Sequence, residues 1–230
     1  MIRGFLFDFD GTLVDSERES AEAMARVLER EHGIAIEPYD RDFVIGRSWM
    51  AIYDNLKTRY PQLQWTRDEL IARTAAMREH VIAELGVTIL PGARATLAWT
   101  RTRGPRAVVT GSSRAEVHQL IPLLGPDAVF DAVVASEDVP RSKPYPDGYV
   151  AAMSAIGLPP EACLVVEDSV NGIAAGRAAG CLVVAVRAGN FGGWDQSHAH
   201  HVIDTLDELT PSLVDQLARD YGFGMGSGMR

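Results

Sequence analysis

The sequence is poor in lysine, and this scarcity draws attention to the two lysines that it has. Lys and Arg together make up 22 residues, but only Lys57 and Lys143 are lysines. Arginine supplies nearly all other positive charge, so each lysine marks a position where a compact ammonium group could be specifically required. Both are therefore candidates for a particular contact.

Cysteine and long apolar runs are also scarce. Cys163 and Cys181 are the only cysteines, and both lie in apolar stretches. Two buried thiols without a secretory segment predict a reducing compartment and no disulfide framework. The apolar stretch at the N-terminus meets charge too soon for a signal peptide, and no uncharged stretch reaches the roughly 18–20 residues of a membrane span. We therefore expect a cytoplasmic protein without a membrane partner.

Positive charge is in deficit overall. The 22 basic and 31 acidic residues give a formal charge of -9. An acidic chain repels nucleic acid and anionic membranes, so neither is an expected partner. The sequence also lacks the Gly-x-Gly-x-x-Gly and Gly-x-x-x-x-Gly-Lys-Ser/Thr motifs of two common phosphate-binding loops. A phosphorylated ligand would have to be held by local positive charge.

Apolar strand patterns alternate with helical patterns along most of the chain. The predicted strands are 2–8, 106–111, 130–136, 163–168, 181–186 and 201–203. With helices between them, they predict an α/β fold with a doubly wound parallel sheet. Residues 15–88 interrupt this pattern with helix after helix. The first is predicted over 16–32, where Ser16 and Glu19 predict a capping box, and further helical segments are predicted around 43–46, 48–60 and 67–85.

The interruption predicts a particular organisation of domains. We expect a Rossmann-like catalytic core formed by residues 1–14 and 89–230, with an all-helical cap inserted over residues 15–88. The segment 221–230 is rich in glycine, and we expect it to be a flexible tail.

Polar side chains follow the predicted strands at the points where they end. They are Asp8 and Asp10 after the first strand, Thr110 after the second, Lys143 in the loop after the third, and Glu167 and Asp168 at the fourth. Ligands of parallel sheets bind at the carboxyl ends of the strands, so these groups should converge. Clustered carboxylates repel one another unless a cation lies among them, and oxygen ligands without His or Cys favour Mg²⁺.

The same set suits phosphoryl chemistry. The ammonium of Lys143 can neutralise a phosphate and a carboxylate together, and the hydroxyl of Thr110 with the amides of Gly111 and Ser112 can donate to phosphate oxygens. Asp8 would be the nucleophile, and Asp10 would move protons as general acid and base. Each residue alone is equally consistent with a turn, a helix cap or a surface charge. Their joint occurrence at successive strand ends favours the chemical interpretation.

Four motifs carry a resemblance to a known family. They are DFDGTLVDS (8–16), VVTGSS (108–113), SKPYPDGY (142–149) and VVEDSVNGIAAGRAAG (165–180). With them the sequence resembles the haloacid dehalogenase superfamily, in the subgroup of β-phosphoglucomutase-like phosphohydrolases. The resemblance implies a Rossmann-like core with a helical cap, and phosphoryl transfer that depends on Mg²⁺ and proceeds through an aspartyl phosphate.

The resemblance also implies roles for individual residues. Asp8 would be nucleophile and metal ligand, and Asp10 would be general acid and base and lend its backbone carbonyl to the metal. Thr110 and Lys143 would bind the phosphoryl group, and Glu167 and Asp168 would hold Mg²⁺ directly or through water. True dehalogenases lack the second aspartate, so Asp10 argues against dehalogenation. Lys57 could serve as the Schiff-base lysine of phosphonate hydrolases, but its surroundings favour a solvated helix end.

The predicted cap leaves the choice of phosphoryl acceptor open. Similar mutases carry Gly-x-Ser-Arg there, whereas this chain reads Gly46-Arg47-Ser48-Trp49. The departure favours a phosphatase, with Arg47 as a candidate for binding a substrate anion and Trp49 for an apolar wall. We expect a monomer or homodimer that acts on a sugar phosphate or a phosphoglycolate-like acid. A β-phosphoglucomutase-type enzyme and a non-catalytic phospho-ligand binding module remain alternatives.

Overall fold

The structure is a computed structural model that describes residues 1–45, 47 and 49–224. The chain divides into two compact units, each described by itself below. The core unit comprises Met1–Val14 and Ile89–Arg230, and the helical unit comprises Asp15–Thr88. Two short strands, Val14–Asp15 and Thr88–Ile89, pair with each other where the chain passes from one unit to the other.

The core unit is built on a parallel sheet of six strands. They are β1 (Gly4–Phe7), β2 (Arg106–Val109), β3 (Ala132–Val134), β4 (Cys163–Glu167), β5 (Leu182–Val186) and β6 (His201–Ile203). The strand order is β3-β2-β1-β4-β5-β6, and every neighbouring pair is parallel. This is the order of a Rossmann fold. The prediction of a doubly wound parallel sheet is confirmed.

Helices lie between most of the strands and after the last one. In chain order they are α1 (Glu17–His32), α2 (Pro38–Val44), α3 (Trp49–Arg59), α4 (Arg67–Leu85), α5 (Ala93–Arg101), α6 (Arg114–Leu120), α7 (Asp147–Ile156), α8 (Val170–Ala178) and α9 (Pro211–Asp220). Short 3-10 turns cover Ile121–Leu124, Ser136–Asp138, Pro160–Ala162 and Leu206–Glu208. Within the part of the chain that the structure describes, no helix is both long and apolar enough to cross a membrane.

Both faces of the sheet are covered, and the alternation of side chains along β1 shows how. Phe5 packs edge-on against Trp99 of α5, with 5.3 Å between the ring centroids. Leu6 belongs to the cluster of buried residues that includes Tyr149 of α7 and Ile173 of α8. Successive strand residues point to opposite faces, so the whole of β1 is buried between two layers of helices. This explains why its sequence is an unbroken apolar run.

The thiols of the core unit are buried and unpaired, as predicted. Cys163 and Cys181 are free cysteines. Burial raises the pKa of each thiol to about 12, so both stay protonated at neutral pH and behave as small apolar side chains.

The predicted flexible tail begins with residues that pack on the core unit. The hydroxyl of Tyr221 donates to the backbone oxygen of His200 at 2.5 Å, and the His200 ring contacts the rings of Tyr221 and Phe223. Two aromatic residues thus hold the first part of a segment whose glycines predicted flexibility. The rest of the predicted tail, residues 225–230, lies outside the described residues.

The helical unit consists of α1 to α4 around an apolar core of its own. Met24, Leu28, Leu56, Leu70 and Val81 are among its buried side chains, all 1 % exposed or less. α4 has the predicted bounds. α2 begins at Pro38, five residues before the predicted start, because proline suits the first turn of a helix and Glu37 forms a capping box with Asp40.

The capping box predicted for α1 from Ser16 and Glu19 is wrong, because a different residue supplies the capping oxygen. Ser16 makes no side-chain capping hydrogen bond, and its backbone has φ -109° and ψ 3°. Asp15 takes the role instead, because its Oδ1 accepts from the backbone N–H of Glu17 at 3.1 Å. Its Oδ2 also accepts from the charged side chain of Arg18 at 3.0 Å. A carboxylate forms a stronger hydrogen bond with a charged donor than a serine hydroxyl does.

Candidate active site

Neighbouring strands bring Asp8 and Glu167 side by side. Phe7 of β1 is in register with Val166 of β4, and the backbone N–H of Asp8 donates to the oxygen of Val166 at 2.9 Å. Lys143 connects the two carboxylates, since its Nζ lies 2.5 Å from Asp8 Oδ1 and 2.5 Å from Glu167 Oε1. The same ammonium donates to the oxygen of Val109 at the end of β2. Three strand ends therefore meet at one lysine.

A third carboxylate joins this group. Asp8, Glu167 and Asp168 offer oxygen atoms that all lie within 4.8 Å of one another. Gly11 allows the approach, because a Cβ there would lie 2.4 Å from Asp168 Oδ2 and the residue has a φ of 82°. These three residues form a possible oxygen-ligand set for a cation.

The charges of the group are unbalanced. Burial raises the pKa of Asp8 to about 7, with further contributions from Glu167 and Asp10, although Lys143 acts in the opposite direction. Burial and the charges of Asp8 and Glu167 likewise raise the pKa of Asp168 well above its usual range. Burial lowers the pKa of Lys143, but Asp8 and Glu167 outweigh it and raise that pKa above its ordinary value. A charged ammonium is thus shared among carboxylates that it cannot fully neutralise, and a divalent cation fits such a group.

Glu167 accepts five hydrogen bonds. Its Oε1 accepts from Lys143 and from the hydroxyl of Tyr149, and its Oε2 accepts from the amides of Asp168 and Ser169 and from the Ser169 hydroxyl. A carboxylate has about four lone-pair positions, so these five donors occupy them. A Cβ on Gly172 would lie 1.7 Å from Oε1, so α8 packs directly against the carboxylate.

Asp10 lies next to the loop after β2. Its Oδ2 accepts from the hydroxyl of Ser112 at 2.6 Å, and the hydroxyl of Thr110 is 3.5 Å away. The sequence predicts that the backbone amide of Ser112 donates to a phosphate oxygen. In the structure this amide donates to Thr110 Oγ1 at 3.0 Å. The structure therefore links Ser112 to the site through its hydroxyl as well.

A cavity of about 290 Å³ lies within the core unit beside Lys143, and its lining includes none of the carboxylates Asp8, Asp10, Glu167 and Asp168. Thr110, Gly111 and Lys143 line it, together with Tyr145, Tyr149 and Asn171. A Cβ on Gly111 would meet nothing within 4 Å, so the loop after β2 has open space around it. Three of the four residues predicted to bind phosphate, all but Ser112, thus border open space.

The two predicted specificity residues belong to the helical unit. The guanidinium of Arg47 lies over the ring of Phe43, 4.3 Å from its centroid. Trp49 begins α3 and packs, partly buried, against the apolar core of that unit. Gly46 and Ser48 of the same motif lie outside the described residues. The substrate-binding role of Arg47 and Trp49 stays a prediction. Lys57, also in this unit, donates to the oxygen of Leu63 at 2.5 Å.

Several residues that support the site were not predicted. The hydroxyl of Thr12 donates to Asp168 Oδ1 at 3.4 Å, and Gln196 Nε2 donates to the oxygens of Asp168 and Val186 at 2.6 and 2.8 Å. Tyr149 and Ser169 bind Glu167 as described above. Thr12 and Ser169 stand beside predicted residues, so proximity in sequence could have indicated them. Gln196 lies 28 residues from Asp168 and carries no such signal.

The sequence matches one protein family over most of its length. The family model of haloacid dehalogenase-like hydrolases matches residues 2–180. The chain belongs to this family. The predictions of a haloacid dehalogenase-type hydrolase and of its fold are confirmed.

Individual relatives of this hydrolase agree with the match. Hexitol phosphatase A of Escherichia coli is 38% identical over 193 residues, which are 81% of this chain and 83% of the relative. Validoxylamine A 7'-phosphate phosphatase of Streptomyces hygroscopicus is 33% identical, covering 94% of this chain and 96% of the relative. The crystal structure of β-phosphoglucomutase from Clostridium difficile shares the fold, with a TM-score of 0.72 at 22% identity over 96% of this chain and 99% of that one.

Proposed function

We propose that this hydrolase is a Mg²⁺-dependent phosphatase of a small phosphorylated metabolite, a sugar phosphate or a phosphoglycolate-like acid. The observation that carries the proposal is the contact of Lys143 with both Asp8 and Glu167, beside Asp168. The chain is a phosphohydrolase by its family and by its two phosphatase relatives. The metal, the substrate class and the residue roles are the proposal.

The residues fit a magnesium ion. The carboxylate oxygens of Asp8, Glu167 and Asp168 are hard ligands, and burial raises the pKa of Asp8 and of Asp168 in the absence of a cation. Asp8 and Asp168 would hold the ion, with the backbone oxygen of Asp10 as the predicted third ligand. The five donors on Glu167 favour contact through water for that residue. When bound, the ion would neutralise phosphoryl oxygens and orient the phosphoryl group.

The proposed hydrolysis proceeds in two steps, in which Asp8 is the nucleophile and Asp10 transfers protons. An oxygen of Asp8 attacks phosphorus, forming an aspartyl phosphate while the bond to the leaving oxygen breaks. Asp10 gives its proton to that oxygen. In the second step Asp10 takes a proton from water, whose oxygen attacks phosphorus and releases Asp8 and inorganic phosphate. Lys143 stabilises the negative charge of the phosphoryl group throughout.

Lys143 also supports Asp8 before the reaction. Its ammonium is held by Glu167, which is fully buried, and by the backbone oxygen of Val109. A charge that is fixed in this way is already placed where the phosphoryl group arrives, so little reorganisation is needed during the reaction. This arrangement favours a catalytic protein over a passive binding module.

A phosphate-release screen tests the proposal. We expect release from a panel of sugar phosphates and small phosphorylated acids with Mg²⁺ present, none after chelation with EDTA, and recovery when Mg²⁺ is returned. Coupled detection of glucose 6-phosphate from β-glucose 1-phosphate would reveal a mutase instead. Absence of release from every compound, or release that persists in EDTA, would refute the proposal. Cytoplasmic location and a monomeric or homodimeric state stay predictions.

The contact between Ser112 and Asp10 leads to a second prediction. Ser112→Ala keeps the backbone amide and removes the hydroxyl that holds Asp10. We expect a loss of about tenfold in kcat on a sugar phosphate, which is less than the 10²–10⁴ of complete acid–base catalysis. The loss on p-nitrophenyl phosphate should be smaller, because that leaving group needs no proton.

The test compares the loss of kcat on the sugar phosphate with the loss of kcat on p-nitrophenyl phosphate. Ser197→Ala is the matched control, since its exposed hydroxyl bonds only to the neighbouring Asp195 among the contacts described. Equal losses on both substrates in Ser112→Ala would contradict the assignment of this hydroxyl to Asp10.

A further inference from the structure

Tyr149 lies against the ion pair of the candidate site. It belongs to α7 of the core unit and is 0 % exposed. Its hydroxyl donates to Glu167 Oε1 at 2.9 Å, and Lys143 Nζ lies 5.4 Å from the centroid of its ring. The latter distance is within the range of a cation–π contact. One side chain therefore contacts both members of the Lys143–Glu167 pair.

We infer that Tyr149 is a positioning residue that sets how Lys143 is shared between Glu167 and Asp8. Its hydroxyl holds Glu167, and its ring supports the ammonium of Lys143. The inference rests on the proposed function, in which Lys143 binds the phosphoryl group.

The hydrogen bonds at Glu167 explain how the hydroxyl acts. Lys143 and Tyr149 donate to the same oxygen, Oε1, while three donors from residues 168 and 169 occupy Oε2. Among the hydrogen bonds described, the ammonium of Lys143 is the donor to Oε1 that remains when the Tyr149 hydroxyl is removed. The negative charge on that oxygen then attracts Lys143 more strongly, and less of its positive charge is available to Asp8 and a phosphoryl group.

The ring and the hydroxyl have separable roles. A phenylalanine would fill the same buried space and keep the cation–π contact, so packing of α7 on the sheet does not require the oxygen. A buried hydroxyl without a hydrogen-bond partner lowers the stability of the folded protein. The Tyr149 hydroxyl has such a partner in the Glu167 carboxylate, which also holds Lys143. Partners that orient the groups around a metal site typically alter affinity or activity by about 10–100-fold when they are removed.

Tyr149→Phe tests this inference, with Tyr221→Phe as the matched control. The control also removes a hydroxyl that donates within the core unit, to the oxygen of His200. We expect Tyr149→Phe to weaken the binding of inorganic phosphate by about tenfold in titration calorimetry with Mg²⁺ present, and to lower kcat/KM by a similar factor. Tyr221→Phe should retain both values.

Thermal unfolding separates positioning from structural support. A purely structural hydroxyl would lower the unfolding midpoint and leave the phosphate affinity at its wild-type value, and that result would overturn the inference. Equal phosphate affinities of Tyr149→Phe and Tyr221→Phe would overturn it as well. A wild-type protein that binds phosphate without turnover would refute the proposed function, and the same comparison of affinities would still decide the role of Tyr149.

Discussion

Asp8→Asn should abolish turnover while the protein stays folded. The amide that replaces the carboxylate is a poor nucleophile, so the aspartyl phosphate cannot form, and we expect kcat to fall by about 10⁴-fold or more. Asparagine has nearly the same shape, and burial already disfavours the charged form of Asp8, whose pKa is raised to about 7. The metal-free variant should therefore unfold at or above the wild-type temperature.

Two measurements make this result decisive. Phosphate release is followed with Mg²⁺ on the best substrate of the screen, and mass spectrometry confirms that residue 8 has not deamidated. Asp204→Asn is the matched control, because it makes the same chemical change at an exposed ion pair with Arg187. Activity of Asp8→Asn within tenfold of the control would rule out covalent catalysis by Asp8.

The fold was predictable because its four central strands are short and fully buried. The apolar runs of β1, β4 and β5 have few polar positions, so their ends are marked by the first carboxylates or glycines that follow. The interrupted pattern after β1 also indicated a separate helical segment. The start of α2 and the cap of α1 were less predictable, since two neighbouring residues can each supply a capping oxygen and backbone geometry decides between them.

Within the site, residue types were predictable and their pairings were not. The scarcity of lysine indicated Lys143, and parallel strand ends explain why it meets Asp8 and Glu167. The sequence could not show that Ser112 uses its hydroxyl on Asp10, because that depends on the path of the loop after β2. Tyr149 and Gln196 reach the site from distant elements, and only the packing of those elements reveals them.

Lys143 contributes both to the stability of the core unit and to the proposed phosphoryl transfer. Asp8 and Glu167 are 7 % and 0 % exposed, and both bind Lys143. In the proposed mechanism, the positive charge between these buried carboxylates serves the free protein as well as phosphoryl transfer. Substitution of Lys143 should therefore lower stability and turnover together, whereas Asp8→Asn should abolish turnover without loss of stability.

Lys143→Met should lower both activity and stability. Loss of a fixed charge that stabilises the phosphoryl group typically costs about 10²–10³ in kcat. Removal of one partner from a buried ion pair costs about 3–5 kcal/mol of unfolding free energy, because the carboxylates stay buried without their cation. Lys57→Met is the matched control, as it removes the other lysine, whose contact is with the backbone of Leu63. Turnover and chemical denaturation are measured for both variants.

The pH dependence of Lys143→Met identifies the cause of its instability. In the metal-free wild type, burial raises the pKa of Asp8 from 3.8 to about 7, so the folded state binds more protons across that interval and unfolding free energy falls as pH rises. Lys143 opposes this shift, so its removal should raise the pKa of Asp8 further and extend the fall above pH 7. In EDTA the stability difference from wild type should be constant below about pH 6 and should grow as pH rises through 7 to about 8. Added Mg²⁺ should restore part of the stability and little of the turnover, whereas a difference that is independent of pH would show that the loss comes from packing of the lysine side chain.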